Sequence, residues 1–191
     1  AILLLAHCAL CSMYGAVPTT PLAYYTPSSS LHMTRSGNGD PNDEPYTVIQ
    51  TVAGRECVYV PSSKYLYFRI DKTVVPSTMN TLVFKVTFLD RGTGELRMQY
   101  NATNNRNYES CVVSKTDSEQ WITVTMAVTD ASLRNAQNHG DIRFNEGNYI
   151  ARVEVYNGLL DPLTGPLCQH AGGSSYSEFR GKSVAGYQAW F

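Results

Sequence analysis

The sequence predicts an all-β protein, an antiparallel β-sandwich of the jelly-roll, galactose-binding-like type, and three observations support this prediction. Short apolar segments alternate between two faces with the period of two that a pleated strand imposes. Turn-forming residues separate these segments at short intervals, as in sandwich proteins. No stretch has the apolar spacing of a helix longer than a turn or two. Because each amphipathic strand leaves one apolar face, a second sheet must cover it.

The length and charge of the chain limit the number of domains and the kinds of partner that we expect. With 191 residues it suits one domain with flexible N- and C-terminal segments. The 15 basic and 16 acidic residues give a net charge of −1, so we expect neither nucleic acid nor a membrane as a partner. The low charged fraction of 16% and the 13 tyrosines favour an extracellular module.

The N-terminal residues predict secretion. Residues 1–16 contain the run AILLLAHCAL followed by small residues, which is typical of a partial signal peptide and too short to span a bilayer. The alternative for this run is a buried apolar strand or helix. Residues 17–45 are rich in Pro, Ser, Thr, Gly and Asn and have no apolar period, so we expect a linker there.

The sandwich module is predicted over residues 46–157, and its clearest element is the stretch 82–100. Leu82, Phe84, Val86 and Phe88 share one strand face, and residues 90–94 supply two glycines for a short loop, so we predict a β-hairpin. The segment 131–140 is predicted to be an irregular loop. The other predicted strands cover 46–52, 56–60, 65–71, 109–114, 121–129, 141–144 and 149–156.

The C-terminal residues predict a change of domain. Residues 158–182 return to Pro, Gly and Ser and are interpreted as a second linker. Residues 183–191, SVAGYQAWF, are compact and apolar. We interpret them as the start of a second domain.

Cysteines, a sequon and loop oxygens suggest covalent and metal chemistry. If the signal is removed, three cysteines remain, and Cys57 with Cys111 is the first choice of disulfide pair, with buried free thiols as the alternative. Asn101 begins an Asn-Ala-Thr sequon and is a candidate glycosylation site. No zinc or EF-hand spacing occurs, so no cofactor is expected, and a structural calcium ion bound by loop oxygens stays an open alternative.

Two groups of residues resemble glycoside hydrolase sequences. YLYFRID at 65–71, VTFLDRGTGELRMQY at 86–100, the strand that begins at Trp121 and NAQNHGDIRF at 135–144 resemble, in this order, non-catalytic β-sandwich modules of secreted glycoside hydrolases. GKSVAGYQAWF at 181–191 resembles the first barrel strand of endo-α-mannosidase-like glycoside hydrolases, with Ala189 in place of a glycine. The resemblance implies an accessory module followed by a catalytic barrel truncated at its first strand.

Catalysis is not expected from this chain. Glycoside hydrolysis requires two carboxylates that flank the scissile bond, and in barrel enzymes these follow later strands. The carboxylates of the module fall mostly at turns or on exposed strand faces. We therefore expect hydrolase activity only of a full-length protein.

Binding of a polysaccharide or glycan is the leading functional hypothesis. Sugars stack on aromatic rings while amides and charged groups bond their hydroxyls. The candidate binding residues are Trp121, Tyr100, Tyr108, Asn135, Gln137 and Asn138, with Tyr65, Tyr67 and Tyr156 as further outward-facing aromatic residues.

Other interpretations stay open. The aromatic residues would otherwise pack at the sandwich edge, and the Asn-rich segment would fix its own loop, with Arg143 pairing to Asp141 or Asp90. The rival function is a structural or adhesive extracellular β-sandwich without sugar binding. A third is a module that stabilises a downstream barrel in cis.

Overall fold

The computed structural model describes residues 20–36 and 46–158, and within these ranges it is an all-β antiparallel sandwich without helices. The fold-class prediction is therefore confirmed. No helix in the described ranges is long and apolar enough to cross a membrane. The predicted signal peptide, the barrel start and all but the first residue of the second linker lie outside these ranges. The strands are β1 Ala23–Thr26, β2 Ser29–Leu31, β3 Met33–Ser36, β4 Val48–Val52, β5 Arg55–Tyr59, β6 Leu66–Ile70, β7 Leu82–Leu89, β8 Glu95–Tyr100, β9 Glu109–Ser114, β10 Trp121–Val128, β11 Ile142–Phe144 and β12 Tyr149–Asn157.

The strands form two sheets. Sheet A has the order β10-β7-β12-β1-β2, with β5 also paired to β12 and β4 paired to β5. Sheet B has the order β3-β6-β11-β8-β9. Most connections between consecutive strands after β3 cross from one sheet to the other, so neighbours in sequence are seldom neighbours in a sheet.

The core lies between the two sheets and is formed by the predicted apolar faces. The four apolar residues of β7 that share a face are fully buried, and Leu66, Phe68 and Ile70 of β6 lie opposite in sheet B. Tyr25 of β1 joins the two sheets by packing its ring 4.9 Å from that of Phe68. Because a large apolar side chain contributes about 2 kcal/mol when buried, this layer is the main source of stability.

The predicted hairpin over 82–100 is wrong as a pairing, although both of its strands exist. β7 pairs with β10 on one side and β12 on the other, so neither edge is left for β8. β8 pairs instead with β9 and β11 in sheet B. The loop 90–94 therefore crosses between sheets. Alternation specifies which residues face the core, but it does not specify the neighbouring strand.

The predicted linker over 17–45 is also wrong where the structure describes it, because β1, β2 and β3 lie inside it. Ala23 pairs with Val155 of β12, and Met33 pairs with Ile70 of β6. These strands have only three or four residues each and are rich in Ser and Thr, so no apolar period is visible in the sequence. Pairing to longer strands supplies the stability that their own composition lacks.

Candidate functional site

A groove of about 680 Å³ crosses the outer face of sheet A, the face turned away from the core. Its floor is formed by Thr87 of β7, Thr123 of β10 and Ala151 of β12. Arg55 and Glu56 of β5 form one side, and the turn between β1 and β2 forms the other. The groove is therefore a feature of the sheet and of the two hairpins beside it. The remaining lining residues are Thr26, Pro27, Ser28, Arg152 and Glu154.

The β4–β5 hairpin forms its side of the groove because of a tight turn. Ala53 and Gly54 both have positive φ, 47° and 72°, as a two-residue primed turn requires. The turn reaches across sheet A, where the indole Nε1 of Trp121 donates to the carbonyl of Ala53 at 3.3 Å. Arg55 lies over the same indole, 5.4 Å from its centroid. Trp121 thus holds the hairpin over the outer face.

The polar groups of the floor follow from strand register. Thr123 lies opposite Thr87, which lies opposite Arg152, so the three form one row across β10, β7 and β12. Oγ1 of Thr87 and Oγ1 of Thr123 are hydrogen-bonded at 2.8 Å. In the neighbouring row on the same face, two residues along each strand, Lys85 of β7 lies opposite Glu154 of β12. The lining of the groove therefore presents the hydroxyls of these threonines, the guanidinium of Arg152 and the carboxylate of Glu154.

Charge is balanced within the groove. Nη2 of Arg152 donates to Oε1 of Glu154 at 2.8 Å, and the Arg152 guanidinium lies 5.1 Å from the ring centroid of Tyr24. Beside this pair, burial raises the pKa of Tyr156 to about 12, and the negative charge of Glu154 adds to the rise. Glu56 adds a second, exposed carboxylate at the rim.

This arrangement can bind a neutral polyhydroxylated ligand. Hydroxyl and charged groups together can donate to and accept from sugar hydroxyls, and the half-buried Trp121 and Tyr24 offer ring surface near the groove. Among the described residues, no group of three or more His, Cys, Asp or Glu side chains is placed to hold a metal ion.

Of the predicted binding residues, Trp121 lies beside the groove, in contact with the lining residue Arg55, and Tyr100 does not lie at a surface. Tyr100 is fully buried in the core, and its hydroxyl donates to Oδ1 of Asp130 at 2.8 Å. The expectation that its ring faces outward is therefore wrong. It occupies the inward position that the alternation of β8 assigns to it.

The three predicted amide residues belong to the loop 131–140, and the prediction that this loop is irregular is confirmed. Two of the three form hydrogen bonds that fix the loop in place. The backbone amide of Asn135 donates to Oδ1 of the buried Asp141 at 2.8 Å. Gln137 is fully buried and its Nε2 donates to the carbonyl of Asn107 at 2.5 Å. Asn138 is exposed, and its Nδ2 donates to the hydroxyl of Tyr67 at 3.0 Å on the outer face of sheet B.

Tyr108 also lies on the outer face of sheet B, on the opposite side of the sandwich from Trp121. Its ring is 46% exposed and contacts the guanidinium of Arg143. The prediction that Arg143 pairs with a carboxylate is wrong, because no described carboxylate lies within ion-pair distance of it. Tyr65 and Tyr67 lie beside Arg143 on the same face. The predicted binding residues that are not buried thus divide between two surfaces.

The structure contradicts the predicted disulfide between Cys57 and Cys111 and agrees with the alternative of a buried free thiol for Cys57. Cys57 is a buried free thiol, so the proposed pair with Cys111 is wrong. Because Val58 points into the core, its neighbour Cys57 points to the outer face of sheet A, whereas Cys111 faces the core from sheet B. Burial raises the pKa of the Cys57 thiol, and Glu56 adds to the rise.

Asn101 is not available as a glycan attachment site in the folded chain. Its side chain is fully buried, and its Nδ2 donates to the carbonyl of Asn107 at 3.2 Å. Its Oδ1 accepts from the backbone amides of Arg134 and Ala136 at 3.1 and 3.0 Å. A glycan attached at Nδ2 would need space that this fully buried side chain lacks, so the glycosylation prediction does not fit the folded chain.

Sequence reasoning missed most of the groove. The sequence pattern does not distinguish Arg55, Glu56, Thr87 and Arg152, because each is an ordinary polar residue on a strand. The one local signal was the pair Ala53-Gly54 between two strands, which indicates a tight hairpin. Comparison of the chain with protein-family models, curated proteins and solved structures finds no match.

Proposed function

We propose that this chain is a non-catalytic carbohydrate-binding module and that its ligand, a segment of a polysaccharide or glycan, occupies the groove on sheet A. One observation carries the proposal: an open groove of about 680 Å³ whose floor and rim combine hydroxyl and charged groups, next to the half-buried indole of Trp121. Binding sites for sugars need this mixture of aromatic surface and precisely placed polar groups.

The wider context of the proposal comes from the resemblance to glycoside hydrolases. An accessory module of a secreted glycoside hydrolase would deliver a downstream barrel to the glycan in cis. Such a module needs a binding groove and no catalytic machinery. Neither nucleic acid nor a membrane is part of the proposal, because the net charge of −1 offers no excess of positive charge.

A structural or adhesive module without sugar binding is the second candidate, and one observation favours it. Val48 and Ile49 of β4 are 50% and 42% exposed, next to each other on a strand that pairs on one side only with β5. An exposed apolar edge strand is a surface on which another protein chain can dock.

A glycan array followed by calorimetry tests the proposal. The wild type is expected to bind a restricted set of glycans, and Glu56→Gln and Thr123→Val are expected to weaken that binding about tenfold, which corresponds to about 1.4 kcal/mol. Both residues are exposed at the groove, so these variants are expected to fold. Trp121→Phe keeps an aromatic ring but loses the hydrogen bond to the carbonyl of Ala53, whereas Trp121→Ala loses both the ring and the hydrogen bond.

The matched control is Tyr108→Ala, which removes an exposed ring from the opposite sheet and is expected to leave binding of neutral glycans in the groove unchanged. Absence of binding across all glycans by folded wild type would overturn the proposal in favour of the structural module. Equal binding by wild type and by every groove variant would place the ligand elsewhere.

A further inference from the structure

The guanidinium of Arg143 is held between two tyrosine rings on the outer face of sheet B. Its central carbon lies 4.0 Å from the ring centroid of Tyr65 and 4.5 Å from that of Tyr108. The ring of Tyr67 is a third neighbour at 5.8 Å. All three distances are within the range of cation–π attraction. Both flanking rings are open to solvent, Tyr65 by 38% and Tyr108 by 46%.

Strand register and hydrogen bonds fix the orientation of this guanidinium. Arg143 of β11 lies directly opposite Tyr67 of β6 and Gln99 of β8, so the three side chains form one row. Nε of Arg143 donates to Oε1 of Gln99 at 2.7 Å, and Nη1 donates to the hydroxyl of Tyr67 at 3.2 Å. Asn138 donates to the same hydroxyl at 3.0 Å, and Tyr67 is almost fully buried. The cation is therefore preorganised.

The positive charge of Arg143 is not neutralised by any described carboxylate. Asp141, two residues away in sequence, accepts from Lys72 Nζ at 2.5 Å and from the backbone amide of Ile70 at 2.8 Å. Four other arginines of the described chain form ion pairs: Arg91, Arg97, Arg106 and Arg152. A guanidinium has five N–H donors, and the two hydrogen bonds of Arg143 to described residues leave three for a ligand.

The geometry points to a second binding site, in which Arg143 takes the carboxylate of an acidic sugar residue. A planar guanidinium binds a planar carboxylate through two parallel hydrogen bonds, and both hydrogen bonds are charge-assisted. The exposed rings of Tyr65 and Tyr108 supply surface for the C–H face of the sugar ring. The ligand class is thus a uronic acid unit of a glycan. This site lies on the opposite face of the sandwich from the groove and does not depend on it.

Calorimetric titration with an oligosaccharide that ends in glucuronate tests this inference, with its methyl ester and the corresponding glucose-terminated oligosaccharide as probes. The acid is expected to bind at least tenfold more tightly than either neutral probe, and added salt is expected to weaken it. Arg143→Lys keeps the charge but loses the planar fork, so we expect about a tenfold loss for the acid only. Arg143→Gln is expected to abolish the preference for the acid.

Two further variants keep the inference falsifiable. Tyr108→Ala removes one exposed ring and is expected to weaken binding of the acid several-fold even if Arg143→Gln unfolds. Glu56→Gln changes the groove and is expected to leave binding of the acid at Arg143 unchanged. Failure of this inference and failure of the groove proposal are therefore distinguishable. Equal binding of acid and ester, no saturable binding of the acid up to about 10 mM, or wild-type affinity in folded Arg143→Gln would each overturn it.

Discussion

Asp90 accepts hydrogen bonds from both the hydroxyl and the backbone amide of Thr116, at 2.6 and 2.8 Å. Ser118 repeats the arrangement, with its hydroxyl at 2.6 Å and its amide at 3.2 Å. The carboxylate is only 1% exposed. The hydroxyls of Ser118 and Thr116 hold the pKa of Asp90 well below its usual range. The crossing after β7 is thereby tied to the loop that leads into β10.

Asp90→Asn is expected to lower the free energy of unfolding by about 2 kcal/mol at pH 7, because an amide cannot accept all four hydrogen bonds. A carboxyl whose pKa is lowered by folding stabilises the fold above its unfolded value of about 3.9, and this stabilisation is lost as the pH falls toward the folded value. The difference between wild type and variant should therefore shrink between about pH 5 and pH 2. Urea unfolding across this range measures it.

Glu119→Gln is the matched control for that experiment. Its carboxylate is exposed and pairs with Arg91 at 2.8 Å, so its loss is expected to cost less than about 1 kcal/mol. A difference between wild type and Asp90→Asn that stays constant with pH would contradict the role given to the charge of Asp90.

Tyr100→Phe is expected to lower stability by about 1 kcal/mol and to leave glycan binding unchanged. The variant removes the hydroxyl that donates to Asp130 from the core while the ring keeps its packing. Thermal unfolding and the glycan array together test it. Loss of glycan binding in a stably folded Tyr100→Phe variant would contradict this prediction and would show that Tyr100 contributes to binding.

Gly140→Ala is expected to destabilise the chain by about 1–3 kcal/mol. An added Cβ would lie 3.1 Å from the carbonyl of Gln137 and 3.2 Å from the ring of Tyr67. Gly94→Ala is the control, since its Cβ would find its nearest neighbour at 3.9 Å, on the flexible Lys115 side chain. Denaturant midpoints compare the two, and equal values would show that the loop 131–140 adapts without cost.

The chain is expected to have no glycoside hydrolase activity. Of the two carboxylates that line the groove, Glu154 is paired with Arg152, and Glu56 lies on the exposed rim. Incubation of the purified chain with the glycans that it binds, followed by chromatography of the products, is the measurement. Turnover that disappears in Glu56→Gln would contradict this expectation and would identify a catalytic residue.

Much of the fold could be predicted from the sequence because alternation is a local property. All nine strands predicted in the described module exist, and in all but β4 apolar residues enter the core, as with Val124 and Met126 of β10. The pairing of these strands could not be predicted. The turn after Leu89 looks like a hairpin loop, yet both edges of β7 are taken by strands that begin 32 or more residues later in the chain, since Leu89 pairs with Trp121.

Less of the candidate site could be predicted, since it depends on that pairing. Trp121 is predictable because it is a large outward-facing aromatic residue on a clear strand. Thr87 and Arg152 become neighbours only through the register of β7 with β12. Arg143 meets Tyr108 only because β11 is inserted between β6 and β8. Spacing along the chain carries no information about such contacts.

The position of β12 in sheet A has a consequence for folding. β12 pairs with β7, β1 and β5, so the last described strand joins the earliest ones. Sheet A cannot close until Tyr149–Asn157 has left the ribosome, and until then β1 and the edge of β7 remain without their partner. Folding of such non-local topologies is slow and takes about milliseconds to seconds. During synthesis the nascent chain must keep these edges from pairing with other chains.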